Sequence, residues 1–161
     1  MARVGDHRRV GWQDPDSRLA ATVVEGPAGQ TFEAYNEEAF RYFLALERKR
    51  AERFNRSFLL LLVNLRKQPS MANLSNQIAP HIATDVFGAL CVCVREVDFM
   101  GWYREERVVG AVLSHGAATP EREASHRIGQ RCVAALSERL PAQIAARMQV
   151  RVLQLRPRVR A

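Results

Sequence analysis

The stretch Ser57 to Leu65, SFLLLLVNL, restricts the fold more than any other part of the chain. From Phe58 to Val63 it is apolar without interruption. It is far short of the ~20 residues that a membrane helix needs. It also lacks the alternation of a strand with one wet face. A short continuous apolar run between polar residues reads as a strand covered on both faces. The chain must therefore build a sheet with further layers on each side of it.

The surrounding patterns supply those layers. Asn36 is a good N-cap, Glu37 and Glu38 suit the positive end of a helix, and Phe40, Phe43, Leu44, Ala51 and Phe54 recur at helical spacing. A helix is expected from there to about Asn55. After the apolar strand, Gln68-Pro69-Ser70 breaks the chain. A second helix should carry Leu74, Ile78, Ile82, Val86 and Leu90 near one face, kinked or split at Pro80. The following Leu-Cys-Val-Cys-Val reads equally as a last helical turn or as a strand.

Two short strands are expected at about 98–103 and 108–114. The charged tetrapeptide Arg104-Glu105-Glu106-Arg107 lies between them. It sits where a hairpin tip belongs, yet it lacks glycine, asparagine and proline. A third helix is announced by Thr119 as cap, Pro120 in the first turn, and Glu121 and Glu123 beside them, with Ile128, Cys132, Ala135 and Leu136 facing inward. Met148 to Leu155 reads as a last strand. The expected class is α/β, an α+β sandwich in which helices pack on one mixed sheet. The expected organisation is a leader over 1–32, with a short strand near 20–24, one domain over 33–155, and a basic tail over 156–161.

The totals narrow the class of function. The 161 residues carry a net charge of +7 and a pI of about 10.1, with the arginine excess near both ends and between residues 41 and 56. Interleaved glutamates mark the 41–56 cluster as a solvated helix face. A basic α/β module that binds nucleic acid is the alternative reading of the charge, although no recognition motif accompanies it. Cys91, Cys93 and Cys132 are odd in number and do not have zinc spacing. They read as buried thiols of a reducing compartment, which favours the cytoplasm. No span and no signal segment is legible. His7, His81, His115 and His126 show no metal-ligand spacing, so no metal or cofactor is expected.

The element order and several local patterns resemble the GGDEF family, the diguanylate cyclase domain. Glu47-Arg48-Lys49-Arg50-Ala51-Glu52-Arg53 ahead of FLLLLVNL is similar to the family's entry into its first core strand. Arg95-Glu96-Val97-Asp98 resembles its R-x-x-D, and the signature positions then fall on Arg104 to Val108. Gly101-Trp102-Tyr103, with V-x-G on the return strand, resembles a degenerate subgroup linked to exopolysaccharide gene clusters. The resemblance implies a nucleotide-cyclase or ferredoxin-like sheet, and it also implies lost catalysis. Arg104 and Glu105 stand where the family's glycines let phosphates approach, Arg107 replaces an acid, and the first core strand offers no carboxylate for two-metal phosphoryl transfer. What remains is Arg95 and Asp98, which the resemblance marks as a cyclic di-GMP site. The expectation is thus a non-catalytic regulatory or scaffolding domain with two possible partners. One is cyclic di-GMP, at Arg95 and Asp98. The other is a protein that meets the hairpin around Trp102 and Tyr103.

Overall fold

The computed structural model describes residues 19–67, 76–114 and 121–157. The expected cap at Thr119, the helical position of Leu74, residues His7 and His115, most of the leader and the end of the basic tail lie outside them.

The elements are β1 (Ala21–Glu25), a 3-10 turn (Pro27–Gly29), β2 (Thr31–Tyr35), α1 (Glu37–Phe54), β3 (Phe58–Leu65), α2 (Pro80–Leu90), β4 (Phe99–Arg104), β5 (Val108–Leu113), α3 (Glu121–Arg139), α4 (Ala142–Ala145) and β6 (Met148–Leu155). The strands form one mixed sheet in the order β1-β2-β4-β5-β3-β6. From β3 onward the connectivity is strand, helix, hairpin, helix, strand. β3 lies between β5 and β6 and is antiparallel to both. That is the split βαβ arrangement with one hairpin inserted.

β3 divides two cores, as its uninterrupted apolar sequence demands. Leu59, Leu61, Val63 and Leu65 join α2 and α3 in the larger cluster. Phe58, Leu60 and Leu62 face the other way and meet Phe40, Leu44 and Ala51 of α1. Successive strand side chains point to opposite faces, so one strand feeds both cores. Asn36 caps α1 as expected, its Oδ1 accepting from the Ala39 N–H at 3.0 Å. The arginines and Lys49 of α1 are exposed, with Arg50 paired to Glu47 at 3.4 Å. Phe54, expected on the inner stripe, is 61% exposed, with the Arg53 guanidinium over its ring.

Three expectations are corrected. Pro80 does not kink a helix; it occupies the first turn of α2, after an extended Ala79. That position uses its fixed φ and needs no N–H. Leu-Cys-Val-Cys-Val is not a strand: Leu90 ends α2, Cys91 is its C-cap, and the chain turns over 91–93, with the Cys93 and Val94 N–H groups both donating to the Leu90 carbonyl. The leader boundary after residue 32 falls inside β2. The hairpin β1–β2 belongs to the sheet, because β2 pairs in parallel with β4 through Ala34↔Met100 and Tyr35↔Gly101. The glycines and proline at 26–29 punctuate a hairpin; they do not mark a leader.

Two glycines set how closely the layers approach. Gly101 and Gly110 are cross-strand partners in the β4–β5 hairpin. A Cβ at Gly101 would lie 2.4 Å from the Tyr35 carbonyl oxygen, and one at Gly110 would lie 2.7 Å from the Phe40 ring. Their small size lets β2 and the fully buried Phe40 close onto the hairpin.

Candidate functional site

The turn between α2 and β4 is organised by one carboxylate. Asp98 Oδ2 accepts from the Arg95 N–H at 2.9 Å and from Arg95 Nε at 3.4 Å. Its Oδ1 accepts from the Ser114 N–H at 3.0 Å and from the Ser114 hydroxyl at 3.2 Å. The Asp98 side chain is 1% exposed, whereas that of Arg95 is 61% exposed. The family resemblance paired these two residues as ligand contacts. In the fold their positions differ: the aspartate's acceptors are occupied inside, and the guanidinium stands outside with only Nε bonded to protein among the described residues.

Two cavities flank this turn. One of about 530 Å³ is lined by Arg95 together with Glu33 and Glu96, so its walls carry acid as well as base. The other, of about 400 Å³, brings Arg95 together with Arg127 and Arg131 of α3, and with Cys93 and Ser114. Among the described residues its cations outnumber its one acid, Asp98, whose carboxylate is already engaged. Arg131 also donates to the Val92 carbonyl at 2.9 Å, which ties α3 to the turn. Arg127 makes a loose pair with Glu123 at 3.9 Å, both side chains well exposed. Sequence reasoning missed Arg127, Arg131 and Ser114. The i, i+4 spacing of the two arginines put them on one helix face. Nothing local, however, showed that this face would turn toward residue 95.

The tip of the β4–β5 hairpin is bound to its surroundings on two sides. Glu105 and the first residue of α1 exchange bonds: the Glu37 N–H donates to Glu105 Oε2 at 3.2 Å, and the Glu105 N–H donates to Glu37 Oε1 at 3.0 Å. This places a carboxylate at the positive end of α1. Glu106 sits at φ 61°, in the left-handed region where glycine or asparagine is usual. Its carbonyl accepts from the Ile78 N–H at 2.6 Å and its carboxylate accepts from Gln77 Nε2. Tertiary bonds thus hold a residue that local preference disfavours. Arg104 and Arg107 are exposed.

Trp102 and Tyr103 lie on opposite faces, as strand alternation requires. The Trp102 ring meets Phe87 edge-on at 5.3 Å. Tyr103 packs beside Phe40 at 6.4 Å, with the Arg41 guanidinium 5.6 Å above its ring. Both are half-buried. His81 and His126 are exposed, and among the described residues no three His, Cys, Asp or Glu side chains gather closely enough to hold a metal ion.

The cysteines differ among themselves. Cys91 is buried and its thiol donates to the Phe87 carbonyl at 3.3 Å; burial pushes its pKa up to about 11. Cys93 is half-buried at the cavity wall. Its pKa is lowered, chiefly through interaction with the Cys132 side chain, whereas that of the fully buried Cys132 is pushed up by the same interaction and by burial.

No helix among the described residues is long and apolar enough to cross a membrane. No protein-family model matches the chain, and no curated protein matches it.

Proposed function

We propose that the chain is a non-catalytic regulatory or scaffolding domain of diguanylate cyclase-like descent that binds cyclic di-GMP, in the control of exopolysaccharide production. One observation carries the ligand reading: Arg95, Arg127 and Arg131 line one cavity of about 400 Å³, within the range of small-molecule sites. Guanidinium groups pair bidentately with phosphate oxygens or with the acceptor edge of guanine, and three of them suit a dianionic ligand. In this reading Arg95 touches the ligand, whereas Asp98 positions Arg95 and does not itself make contact. The split βαβ connectivity and the R-x-x-D at the entry to β4 are compatible with the cyclase-like resemblance.

The non-catalytic part of the reading is supported by the tip. Two of the side chains at the signature positions, Glu105 and Glu106, are engaged with α1 and with the 77–78 segment, so a triphosphate there would have to displace those bonds. A protein partner would meet the hairpin through Arg104 and Arg107, because Trp102 and Tyr103 each pack against one of the two cores.

Calorimetry tests the reading directly. Wild type should bind cyclic di-GMP, and Arg95→Ala and Arg127→Ala should each weaken binding about tenfold or more. The absence of heat with ligand at tens of micromolar would remove the receptor reading. Incubation with GTP and Mg²⁺ or Mn²⁺ should give no dinucleotide above background. Tight binding to duplex DNA or RNA, falling steeply with salt, would favour the nucleic-acid alternative.

A further inference from the structure

β6 is the last strand of the sheet, and among the described residues no strand pairs with its outer side. Edge strands are usually blunted by brevity, proline or a bulge. β6 has none of these. It runs for eight residues, MQVRVLQL, in unbroken register with β3. The opposite edge, β1, has five residues and runs into Gly26 and Pro27.

The register shows which backbone groups β6 presents. The Arg66 N–H donates to the Arg147 carbonyl at 2.8 Å, and Leu65 faces Met148 in the next pair. Arg147 therefore turns its carbonyl toward β3, and at intervals of two so do Gln149, Arg151, Leu153 and Leu155. Met148, Val150, Val152 and Gln154 turn their N–H and carbonyl groups outward. Val150 and Val152 also line a groove of about 740 Å³ between β6 and α3. Gly129 and the exposed Val133 of α3 extend its apolar wall. Arg122 and His126 line it too, and among the described residues no acid does. The exposed Arg151 alternates with Val150 and Val152, so it stands on the other face of the strand.

Charge says what would cover this edge. From residue 139 to residue 161 the sequence holds arginines and no aspartate or glutamate. A second copy would bring the same cationic strand against this one, in a chain of net charge +7. Nucleic acid would satisfy the arginines but would leave the outward backbone groups and the apolar groove unmatched. An extended acidic peptide matches all three.

We propose that β6 is a docking edge for an extended segment of another protein, apolar on one face and acidic on the other. The segment adds one strand to the sheet. Its backbone pairs with the outward groups of Val150, Val152 and Gln154, its apolar side chains enter the groove beside α3, and its carboxylates lie beside Arg151. This edge does not include Arg95, and its occupation does not depend on cyclic di-GMP.

The test titrates the full chain by calorimetry, without nucleotide, with a capped peptide of alternating valine and glutamate as long as β6. The peptide should bind at about 100 micromolar or tighter. At low salt it should bind about tenfold more tightly than its valine–lysine counterpart. Methylating the amide nitrogens of the valines alone, and of the glutamates alone, should give one peptide that fails and one that still binds, since only alternate amides face β6. Val152→Pro removes an outward N–H and spares the ladder to β3, and should weaken binding about tenfold. Arg151→Glu should reverse the preference, toward the valine–lysine peptide. No binding by wild type, equal affinity for the two charge patterns, or binding that survives both methylations would each overturn the proposal. So would a wild-type dimer that Val152→Pro dissociates in sedimentation, which would assign the edge to a second copy, or displacement of the peptide by duplex DNA, which would assign it to nucleic acid. The peptide comparisons are read on wild type, so a variant that fails to fold cannot rescue the proposal.

Discussion

The α2–β4 turn and the β4–β5 tip are built from the same materials, arginines and carboxylates between two elements, yet they use them oppositely. At the turn, the carboxylate of Asp98 is sealed inside with four donors, while the guanidinium of Arg95 is displayed. At the tip, the carboxylates of Glu105 and Glu106 remain exposed and staple the hairpin to α1 and to the 77–78 segment from outside. Burial makes the difference. A buried acceptor whose partners have no water to turn to matters far more than an exposed one that water can replace. A charge pair in sequence therefore does not tell which member is scaffold and which is available.

The largest expected effect sharpens that contrast. Asp98→Ala strips two backbone N–H groups and a hydroxyl of their acceptor and should cost about 3 kcal/mol in urea unfolding. Asp98→Asn, which keeps an acceptor oxygen, should cost about half as much. A cost below about 1 kcal/mol for Asp98→Ala would erase the distinction between turn and tip.

The next effect belongs to the buried start of the same turn. The Cys91 pKa is raised from 9.0 to about 11 in the folded chain, so folded protein keeps a proton that the unfolded chain has lost. Its contribution to stability is complete below about pH 9 and is lost progressively up to about pH 11, a change of about 3 kcal/mol. Cys91→Ala should flatten the stability profile across that window in denaturant titrations at fixed pH.

At the tip the changes should be smaller. Glu105→Ala removes one exposed acceptor at a helix start and should cost about 1 kcal/mol or less by thermal unfolding. Arg95→Ala should alter stability by no more than about 0.5 kcal/mol, since its exposed guanidinium supports nothing else. Glu106→Gly is the finest probe. It relieves a left-handed residue, worth about 1 kcal/mol, and forfeits the Gln77 bond, worth a similar amount, so the two should nearly cancel. A loss of more than about 1 kcal/mol would mean that the tertiary staple dominates the tip.

Much of the architecture could be read directly because its signals are local. The apolar run of β3, the asparagine cap of α1, the apolar runs of β4 and β5 on either side of their charged centre, and the final strand each announce themselves within a few residues. Of the β1–β2 hairpin only the short first strand did; β2 did not, because it is short and half-exposed and its place depends on pairing with β4, far along the chain. Pro80 was ambiguous for the opposite reason: the same ring breaks a helix or begins one, and only the extended Ala79 before it decides which. In the site, Arg95 and Asp98 were singled out only by the resemblance to a family motif, and nothing singled out Arg127, Arg131 or Ser114.

By itself, then, the sequence determined a mixed sheet covered on both faces, since periods of 2 and 3.6 and an uninterrupted apolar strand leave few other ways to bury so much aliphatic surface. Tertiary structure alone decided that Asp98 is interior and Arg95 exterior, and that three arginines share a cavity with Cys93 and Ser114. These are meetings between residues distant in the chain. Local propensity carries no information about such meetings until the packing of helix on sheet brings the residues together.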